Sequence, residues 1–192
     1  MTQPYEIITI PDPVLKATAH AVGAVTTEIQ RQIDRMKTTL DKANGIGLAA
    51  NQVNILNRVL IMDVPEGIWQ FGPEKNGVLT IDRGPLEEGN PARSPVCMVN
   101  PEIIWQSEQK SVYEEGCLSI PNQYANVIRP AHVRVKYIDE RGTTQEIECS
   151  GLQSHCVQHE IDHLNGVLFI DHLSSLKRNM IVKKFRKQNR VL

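Results

Sequence analysis

The stretch QHEIDH, residues 158–163, holds the side chains best suited to chemistry. It places His159 and His163 four positions apart, with Glu160 beside the first histidine. On a helix, residues i and i+4 share a face with Cβ atoms roughly 5 to 6 Å apart, so two imidazoles can bind one tetrahedral cation. Glu160 would lie about 100° further round the helix, where it could take a proton from water bound to that cation. The pattern predicts a metal site with a general base.

The same pattern also arises by chance on ordinary amphipathic helices, with a paired, solvated glutamate. A metal site needs a third protein ligand and an open position for water. His155 continues the row, but its Cα would lie about 12 Å from that of His163 at 1.5 Å per residue, too far for both to bind one ion. We therefore expect His155 to be a pocket or surface histidine. We expect Asp162 to cap, to pair on the surface or to orient a ligand.

A better third ligand is Cys117, within the segment EGCLS at residues 115–119. Gly116 and the following Pro121 bend the chain at a strand end, where a thiol can point outward and a backbone N–H can be exposed. A lone buried cysteine is more often a small hydrophobic residue, so Cys117 alone leaves both interpretations open.

A third segment, GIGLAANQ at residues 45–52, has glycines that allow close approach of another backbone. It matches no phosphate-binding spacing, and by itself it could be a simple connection.

Three helices are expected to frame these segments. The first runs from about Thr27 to Asn44, with a capping box formed by Thr27 and Gln30 and a stop at Asn44. The second begins at Ser150, with a capping box to Gln153, and ends at residues 165–166, which places QHEIDH in mid-helix. A strand, GVLFID, and a third helix over residues 173–189 should follow.

Strand patterns fill the region between the first two helices. They are RVLIMDV, VCMVNPEIIW, KSVYEEGCL, HVRVKYID and TQEIECS. Residues 139–142 predict a hairpin turn between the last two. Because no helix intervenes, the sheets should be mainly antiparallel. The predicted fold is α+β, with mainly antiparallel sheets packed around the central HExxH helix, an N-terminal helix and a C-terminal helix.

Residues 65–95 carry five of the eleven prolines and five of the twelve glycines. This composition predicts a long surface insertion with one short strand at Val78–Ile81. A lid or a subunit contact is the functional alternative.

The last 17 residues hold seven lysines or arginines and no acidic residue. That segment is either a solvated helix face or a docking surface.

Length and composition limit the class of protein. A chain of 192 residues is expected to form one domain, residues 1–192. The net charge of −1 gives no support to a DNA-binding protein, and no apolar run reaches the roughly 20 residues of a membrane helix. The first residues lack the pattern of a signal peptide, and the four cysteines contain no CxxC. These features favour the cytoplasm, where a thiol can stay free to bind metal.

Together the three segments resemble the motifs of the peptide deformylase family. GIGLAANQ, EGCLS and QHEIDHLNG occur in the family's order, and PDPVLK and NPEII extend the resemblance over essentially the whole chain. The resemblance implies a hydrolase that removes the N-formyl group from formylmethionine of newly synthesised polypeptides and releases formate. It also implies one divalent cation held by Cys117, His159 and His163. Iron (Fe²⁺) would be the cellular ion, and zinc, nickel or cobalt could substitute.

The resemblance also implies roles for residues around the metal. Glu160 would be the general base, and the side-chain amide of Gln52 and the backbone N–H of Leu118 would stabilise the oxyanion. The substrate would add as a strand beside residues 46–47, where glycine permits close approach. Glu115 and Arg129 either pair behind the cysteine strand or form a surface ion pair. The basic C-terminal helix would dock near the ribosomal exit tunnel. The residues expected to bind the substrate are Ile46, Gly47, Tyr113, Gly116, Leu152 and Cys156, with His155 as a further pocket wall.

The chain departs from the family pattern at Asn51, Tyr124 and His155, and its segment of residues 65–95 is longer than in compact members. None of them is a predicted metal ligand, so they bear on substrate preference and rate. Two other functions remain open at this point. A zinc peptidase could use the same HExxH but would leave EGCLS and GIGLAANQ without a task, and a non-catalytic metal-binding or ribosome-binding protein would have no use for Glu160 and Gln52.

Overall fold

The structure is a computed structural model, and it describes residues 3–65, 69–83 and 94–188. These residues form three α-helices, α1 (Thr27–Lys42), α2 (Gly151–Leu164) and α3 (Ser175–Gln188). Short 3₁₀ helices span Pro13–Lys16, Ala50–Val53 and Phe169–His172. The strands are β1 (Gly47–Ala49), β2 (Val59–Met62), β3 (Trp69–Lys75), β4 (Val78–Arg83), β5 (Val96–Gln106), β6 (Lys110–Cys117), β7 (Ile120–Pro130), β8 (His132–Ile138) and β9 (Thr144–Ser150).

The strands form two sheets. The five-stranded sheet has the order β1-β2-β5-β8-β9, and every neighbouring pair in it is antiparallel. The four-stranded sheet has the order β3-β4-β6-β7, in which only the β4–β6 pair is parallel. The predicted α+β fold with mainly antiparallel sheets is therefore confirmed. Within the described residues, no helix combines the length and the apolar character needed to cross a bilayer.

The five-stranded sheet is buried on both faces, which explains the continuous apolar run VLIM of β2. Leu60 and Met62 face α2 in one cluster, whereas Val59 and Ile61 face α1 in another. Alternate side chains of a strand point to opposite faces, so the run supplies both cores at once. Each such side chain contributes about 1.5 to 3 kcal/mol when fully buried. The sheet is thus held between the two helices.

Helix α2 lies at the centre of the fold and contacts strands of both sheets. Twelve of its fourteen residues are buried. Two of its buried polar side chains bond to a neighbouring strand: Ser154 Oγ and Gln158 Nε2 donate to the carbonyl oxygen of Pro130 at 2.9 and 3.1 Å. Because buried polar groups must be hydrogen-bonded, these contacts let a polar helix occupy the interior. The HExxH motif is consequently an interior feature.

The observed ends of the helices match their predicted positions more closely than the observed capping bonds match the predicted ones. The N-cap of α1 is Thr26, whose hydroxyl accepts from Ile29 N, so the predicted cap at Thr27 is one residue too late. Asn44 has φ 51°, which confirms the predicted stop in the left-handed region. Ser150 precedes α2 as predicted, but its side chain makes no capping bond, so the capping box with Gln153 is wrong. Ser150 is instead the last residue of β9, where it pairs with His132.

The predicted strand GVLFID is also wrong, because Phe169–His172 is a 3₁₀ helix. Its apolar run reflects burial, since Phe169 and Ile170 pack with Ile120 and Phe185 in a third core cluster. Helix α3 begins two residues later than the predicted Leu173. The predicted short strand at Val78–Ile81 is part of β4, and β1, β3 and β7 add strands that were not predicted. Of the predicted insertion, residues 66–68 and 84–93 lie outside the described residues.

Candidate metal centre and its cleft

The side chains of Cys117, His159 and His163 converge at the end of β6 and on one face of α2. One ligand atom from each lies within 4.8 Å of the others, and Cys117 Sγ lies 3.1 Å from His163 Nε2. Bonds of about 2.0 to 2.3 Å from a single cation would fit such separations. Within the described ranges, this is the one group of three histidine, cysteine or acidic side chains close enough to share an ion.

The local course of β6 places the thiol. Gly116 pairs with Tyr124, but the next residue, Cys117, pairs with Ile120, so the register shifts between the two as the chain turns into β7. The ring of Tyr124 lies over Gly116, where a Cβ would come within 2.6 Å of Tyr124 Cε1. Glycine therefore permits the close approach of that ring just before the cysteine. The bend expected at the end of this strand is present.

The protonation pattern of the histidines suits metal ligation. His159 Nδ1 lies 2.9 Å from Glu115 Oε2, and because a carboxylate only accepts, Nδ1 must carry the hydrogen and Nε2 can be the ligand. Burial holds the pKa of His163 well below its usual value, and the positive charge of His159 adds to this effect. Its buried Nδ1 has no hydrogen-bond partner among the described residues. A neutral imidazole of this kind is what a cation requires.

Cys117 and Glu115 both favour the protonated form of His159. Burial lowers the pKa of His159, but hydrogen bonds to Cys117 and Glu115 outweigh burial and raise that pKa well above its usual value. A cation that binds between sulfur and imidazole must displace such a proton. One sulfur and two imidazole nitrogens are donors that suit divalent zinc, iron, cobalt or nickel. The residues present therefore fit a divalent transition metal.

Glu160 lies beside this centre and is only 4% exposed. Its Oε2 has no hydrogen-bond partner within the part of the chain that the structure describes. Burial raises the pKa of this carboxyl group to about 7, opposed by His159 and assisted by the negative charge of Glu115. A carboxyl group with a pKa near neutrality can both take up and release a proton under physiological conditions.

Gln52 presents its amide nitrogen to the centre. Its Oε1 accepts from the backbone N–H of Ala49 at 2.8 Å, which leaves Nε2 on the opposite side. Nε2 lies 3.2 Å from Ser119 Oγ and 3.5 Å from Cys117 Sγ. The backbone N–H of Ala49 thus fixes which end of the amide faces the cysteine. Gln52 therefore presents a hydrogen-bond donor on the side of Cys117.

A cleft of about 440 Å³ opens over these groups. All the predicted catalytic and substrate-binding residues line it, as do Cys117 and His159, whereas the fully buried His163 is not among the lining residues. The sequence did not point to several other lining residues, among them Asn44, Glu114, Asn122 and Gln123. The predicted residues in the lining are Ile46, Gly47, Gln52, Tyr113, Gly116, Leu118, Leu152, Cys156 and Glu160.

Glu115 is the hub of a buried network behind the metal ligands. Arg129 donates to it from Nε at 2.6 Å and from Nη2 at 3.0 Å, and both side chains are 4% exposed. The predicted pair is thus confirmed, and the alternative of a surface ion pair is wrong. Burial raises the pKa of Glu115, but hydrogen bonds from His155, His159 and Arg129 outweigh burial and hold it well below its usual value. The group is a carboxylate.

The network continues to the surface through Asp162. Its Oδ2 accepts from Arg129 Nη1 and from His172 Nε2, each at 2.7 Å. The Asp162 carboxylate therefore orients the arginine that holds Glu115, and its contact with the partly exposed His172 agrees with the surface pair that was one of the roles expected for it. His155 and His172 are members that the sequence did not identify. For His155 the signal was its position one turn before His159, which predicted a pocket or surface histidine; the residue is buried, so the surface alternative is wrong.

The comparisons with known proteins agree on one family. The family model described as Polypeptide deformylase matches residues 4–179. The peptide deformylase of Methylocella silvestris is 46% identical over 181 residues, which is 94% of this chain and 83% of that protein.

Solved structures give the same result. The crystal structure of peptide deformylase from Ehrlichia chaffeensis in complex with actinonin has a TM-score of 0.83 and 34% identity, and the match covers 98% of this chain and 99% of that one. The Met-ala-ser bound structure of class I type b peptide deformylase from Acinetobacter baumannii has a TM-score of 0.73 and 33% identity, and the match covers 90% and 100%.

Proposed function

Because the chain belongs to the polypeptide deformylase family, we propose that it removes the N-formyl group from N-terminal formylmethionine of newly synthesised polypeptides and releases formate. The observation that carries this proposal is the convergence of Cys117, His159 and His163 at a cleft that also holds Glu160 and Gln52. The three ligands would hold one divalent cation. When bound, such a cation lowers the pKa of water and polarises a carbonyl oxygen.

Glu160 is the proton carrier in this proposal. Its carboxylate accepts a proton from the attacking water as the new C–O bond forms at the formyl carbon. The same oxygen delivers that proton to the amide nitrogen as the C–N bond breaks, which yields formate and a free amino terminus. The unpartnered Oε2 and the pKa near 7 support both transfers.

Gln52 and Leu118 supply the donors for the oxyanion. Gln52 Nε2 faces the centre because Ala49 holds the other end of its amide. Leu118 follows the thiol ligand in the turn between β6 and β7 and lines the cleft, so its backbone N–H would be the second donor. Donors held in place before the reaction stabilise developing negative charge without reorganising.

The peptide substrate binds along the edge of the five-stranded sheet. β1 is an edge strand, and Ile46 and Gly47 line the cleft, so an extended peptide can add beside them. Tyr113, Leu152 and Cys156 form a mainly apolar pocket for the methionine side chain. Cys156 Sγ donates to the carbonyl oxygen of Ile46 at 3.2 Å, which ties this pocket to the edge strand.

The cellular ion in this proposal is Fe²⁺, as the family resemblance implies, and zinc, nickel or cobalt can replace it. Affinity alone does not select iron over zinc at such a site, so supply and geometry decide which ion is bound. The protein acts in the cytoplasm, where formylated chains emerge from the ribosome. Its substrates are N-formylmethionyl nascent peptides.

Helix α3 is proposed to dock near the ribosomal exit tunnel. Its Phe185 is buried in the third core cluster, while Lys183, Lys184 and Lys187 are exposed. Truncation of the helix would remove a core side chain, so charge reversal is the cleaner test. Changing the three lysines to glutamate should abolish cosedimentation with ribosomes at low salt and leave formate release from a free peptide unchanged. Undiminished cosedimentation would contradict the docking role.

Formate release from formyl-Met-Ala-Ser by anaerobically purified protein tests the main proposal. We expect turnover together with about one equivalent of divalent metal per chain. Glu160→Gln is the control, because it keeps the shape of the side chain and removes the base. A protein that releases no formate with its metal bound, or that cleaves internal peptide bonds instead, would refute the proposal.

A further inference from the structure

His155 joins the wall of the cleft to the network behind the metal ligands. It lies one helical turn before His159 on α2 and is only 1% exposed. Its Nδ1 lies 3.0 Å from Glu115 Oε1, and its Nε2 lies 3.0 Å from Ser111 Oγ. Both ring nitrogens therefore have protein partners. The mechanism proposed above does not use this residue.

The direction of each hydrogen bond follows from the charge of Glu115. Arg129 donates to both of its oxygens, at 2.6 and 3.0 Å, and this bidentate contact identifies an ionised carboxylate, which can only accept. His155 Nδ1 must then donate to Oε1, as His159 Nδ1 donates to Oε2 at 2.9 Å. One carboxylate thus carries an imidazole N–H on each oxygen, and Arg129 bridges both oxygens from another side.

We propose that His155 is a positioning residue for the metal centre. By donating from Nδ1 to Glu115 Oε1, it fixes the plane of the carboxylate whose other oxygen orients the ligand His159. The proposal rests on the proposed function of Cys117, His159 and His163 as the metal ligands. Outer partners of metal-bound histidines typically change metal affinity or activity by about 10-fold to 100-fold when they are removed.

A role as a mere pocket wall can be separated from this positioning role. The ring of His155 meets Tyr113 edge to face with centroids 5.9 Å apart, and Tyr113 meets Trp69 in the same way at 5.8 Å. With both nitrogens engaged, the part of the ring left for the cleft is carbon. Leucine would preserve an apolar wall and remove both hydrogen bonds. A wall effect would change KM for methionine substrates, whereas a positioning effect changes metal affinity and kcat.

Three substitutions at His155 test the proposal. Asparagine places an amide nitrogen near the position of Nδ1, and glutamine places one near the position of Nε2. Leucine supplies no nitrogen at either position. Affinity for Co²⁺ is measured by competition with a chelator, and kcat and KM are measured with formyl-Met-Ala-Ser. We expect His155→Leu and His155→Gln to weaken Co²⁺ binding by about 10-fold and to lower kcat. His155→Asn should retain both, and KM should change little in all three variants.

Ser111→Ala is the matched control, because it removes the partner of Nε2 and leaves the Nδ1 bond in place. We expect it to bind Co²⁺ nearly as tightly as the unaltered protein. Thermal melting identifies any variant that does not fold, and the comparison of asparagine with glutamine then remains decisive because both are polar.

Two results would overturn the proposal. In one, His155→Leu equals the unaltered protein in both Co²⁺ affinity and kcat. In the other, a folded His155→Asn is as impaired as His155→Leu. Failure of the unaltered protein to bind Co²⁺ or to release formate would instead refute the proposed function.

Discussion

Gly47 packs directly against Glu160: a Cβ on Gly47 would lie 2.3 Å from Glu160 Oε1 and 2.9 Å from Cys156 Sγ. The strand proposed to pair with the substrate and the proposed base are therefore in contact through a position that admits only hydrogen. Glycine is the residue that permits such an approach of backbone to side chain. The glycine-rich segment is explained by this contact as much as by substrate binding.

Gly47→Ala should therefore displace Glu160 and inactivate the enzyme without emptying the metal site. We expect formate release to fall by about 100-fold or more, because proton transfer contributes on the order of 10² to 10⁴ in rate. Metal content, measured by atomic absorption, should not change. Gly23→Ala is the control, since a Cβ there meets nothing within 4 Å. Full activity in Gly47→Ala would show that the contact is unimportant.

Metal binding and proton transfer should separate by mutation. Glu160→Ala should retain metal and lose nearly all activity, because Glu160 is outside the group of three ligands. Cys117→Ala should lose metal itself, because it removes the sulfur ligand. Metal content after dialysis and the rate of formate release distinguish the two variants. Equal metal retention in both would contradict the assignment of Cys117.

Gln52→Ala tests the oxyanion donor. Loss of one such donor costs about 10² to 10³ in kcat in other enzymes, so we expect a slow variant that still binds metal. Gln52→Glu is the informative companion, because it preserves the acceptor for Ala49 N–H and removes the donor near Cys117. Normal turnover by either variant, measured at saturating substrate, would remove Gln52 from this role.

Thiol reagents should distinguish Cys117 from the other cysteines. Burial raises the pKa of Cys97 and of Cys149 to about 12, and it raises the pKa of Cys156 well above the usual value. The thiolate is the reactive form, so these three should resist alkylation at neutral pH. Cys117 is partly exposed and lines the cleft. Peptide mass spectrometry after iodoacetamide should find Cys117 modified first in metal-free protein and protected by added zinc.

Acid should destabilise the fold through Glu115. Burial raises its folded-state pKa, but hydrogen bonds from His155, His159 and Arg129 outweigh burial and hold that pKa below the ordinary value of 4.5. The unfolded chain therefore takes up this proton at a higher pH than the folded protein does. The stabilisation is complete above pH 4.5 and is lost as the pH falls below it.

Urea unfolding of metal-free protein between about pH 3.5 and pH 6 measures this effect. Glu115→Gln should be less stable at pH 6 by about 3 to 5 kcal/mol, because Arg129 loses its buried partner. It should also lose less further stability in acid than the unaltered protein. If the free energy of unfolding fell equally steeply with decreasing pH in both proteins, Glu115 would not be the group responsible for the loss of stability in acid.

Several strands and helices could be predicted from the residue pattern of their own segment alone. The continuous run of β2 and the alternation of β8 and β9 were sufficient, as were the stops at Asn44 and residues 165–166. β7 was missed because it contains several polar residues. It also has a proline as its second residue and another as its last, and proline usually argues against a strand. GVLFID was misassigned because an apolar run indicates burial and does not reveal whether a neighbouring strand pairs with it.

In the candidate site, too, some features could be predicted from a single segment and others depend on packing between segments. Helical spacing was enough to pair His159 with His163 and to exclude His155 as a ligand, which agrees with the group that converges in the structure. The partner of His155 is Glu115, 40 residues away in the sequence. Such a contact depends on how β6 packs against α2, and no spacing rule within either segment contains it.

The burial of α2 on nearly every side has a practical consequence for protein design. An isolated 14-residue helix is marginally stable in water, and several buried polar side chains of this one depend on Pro130 and Glu115 on other elements. Grafting the helix onto a generic bundle would transfer the imidazoles of His159 and His163 without the carboxylate that orients His159. The transplantable unit is therefore the helix together with its surrounding strands.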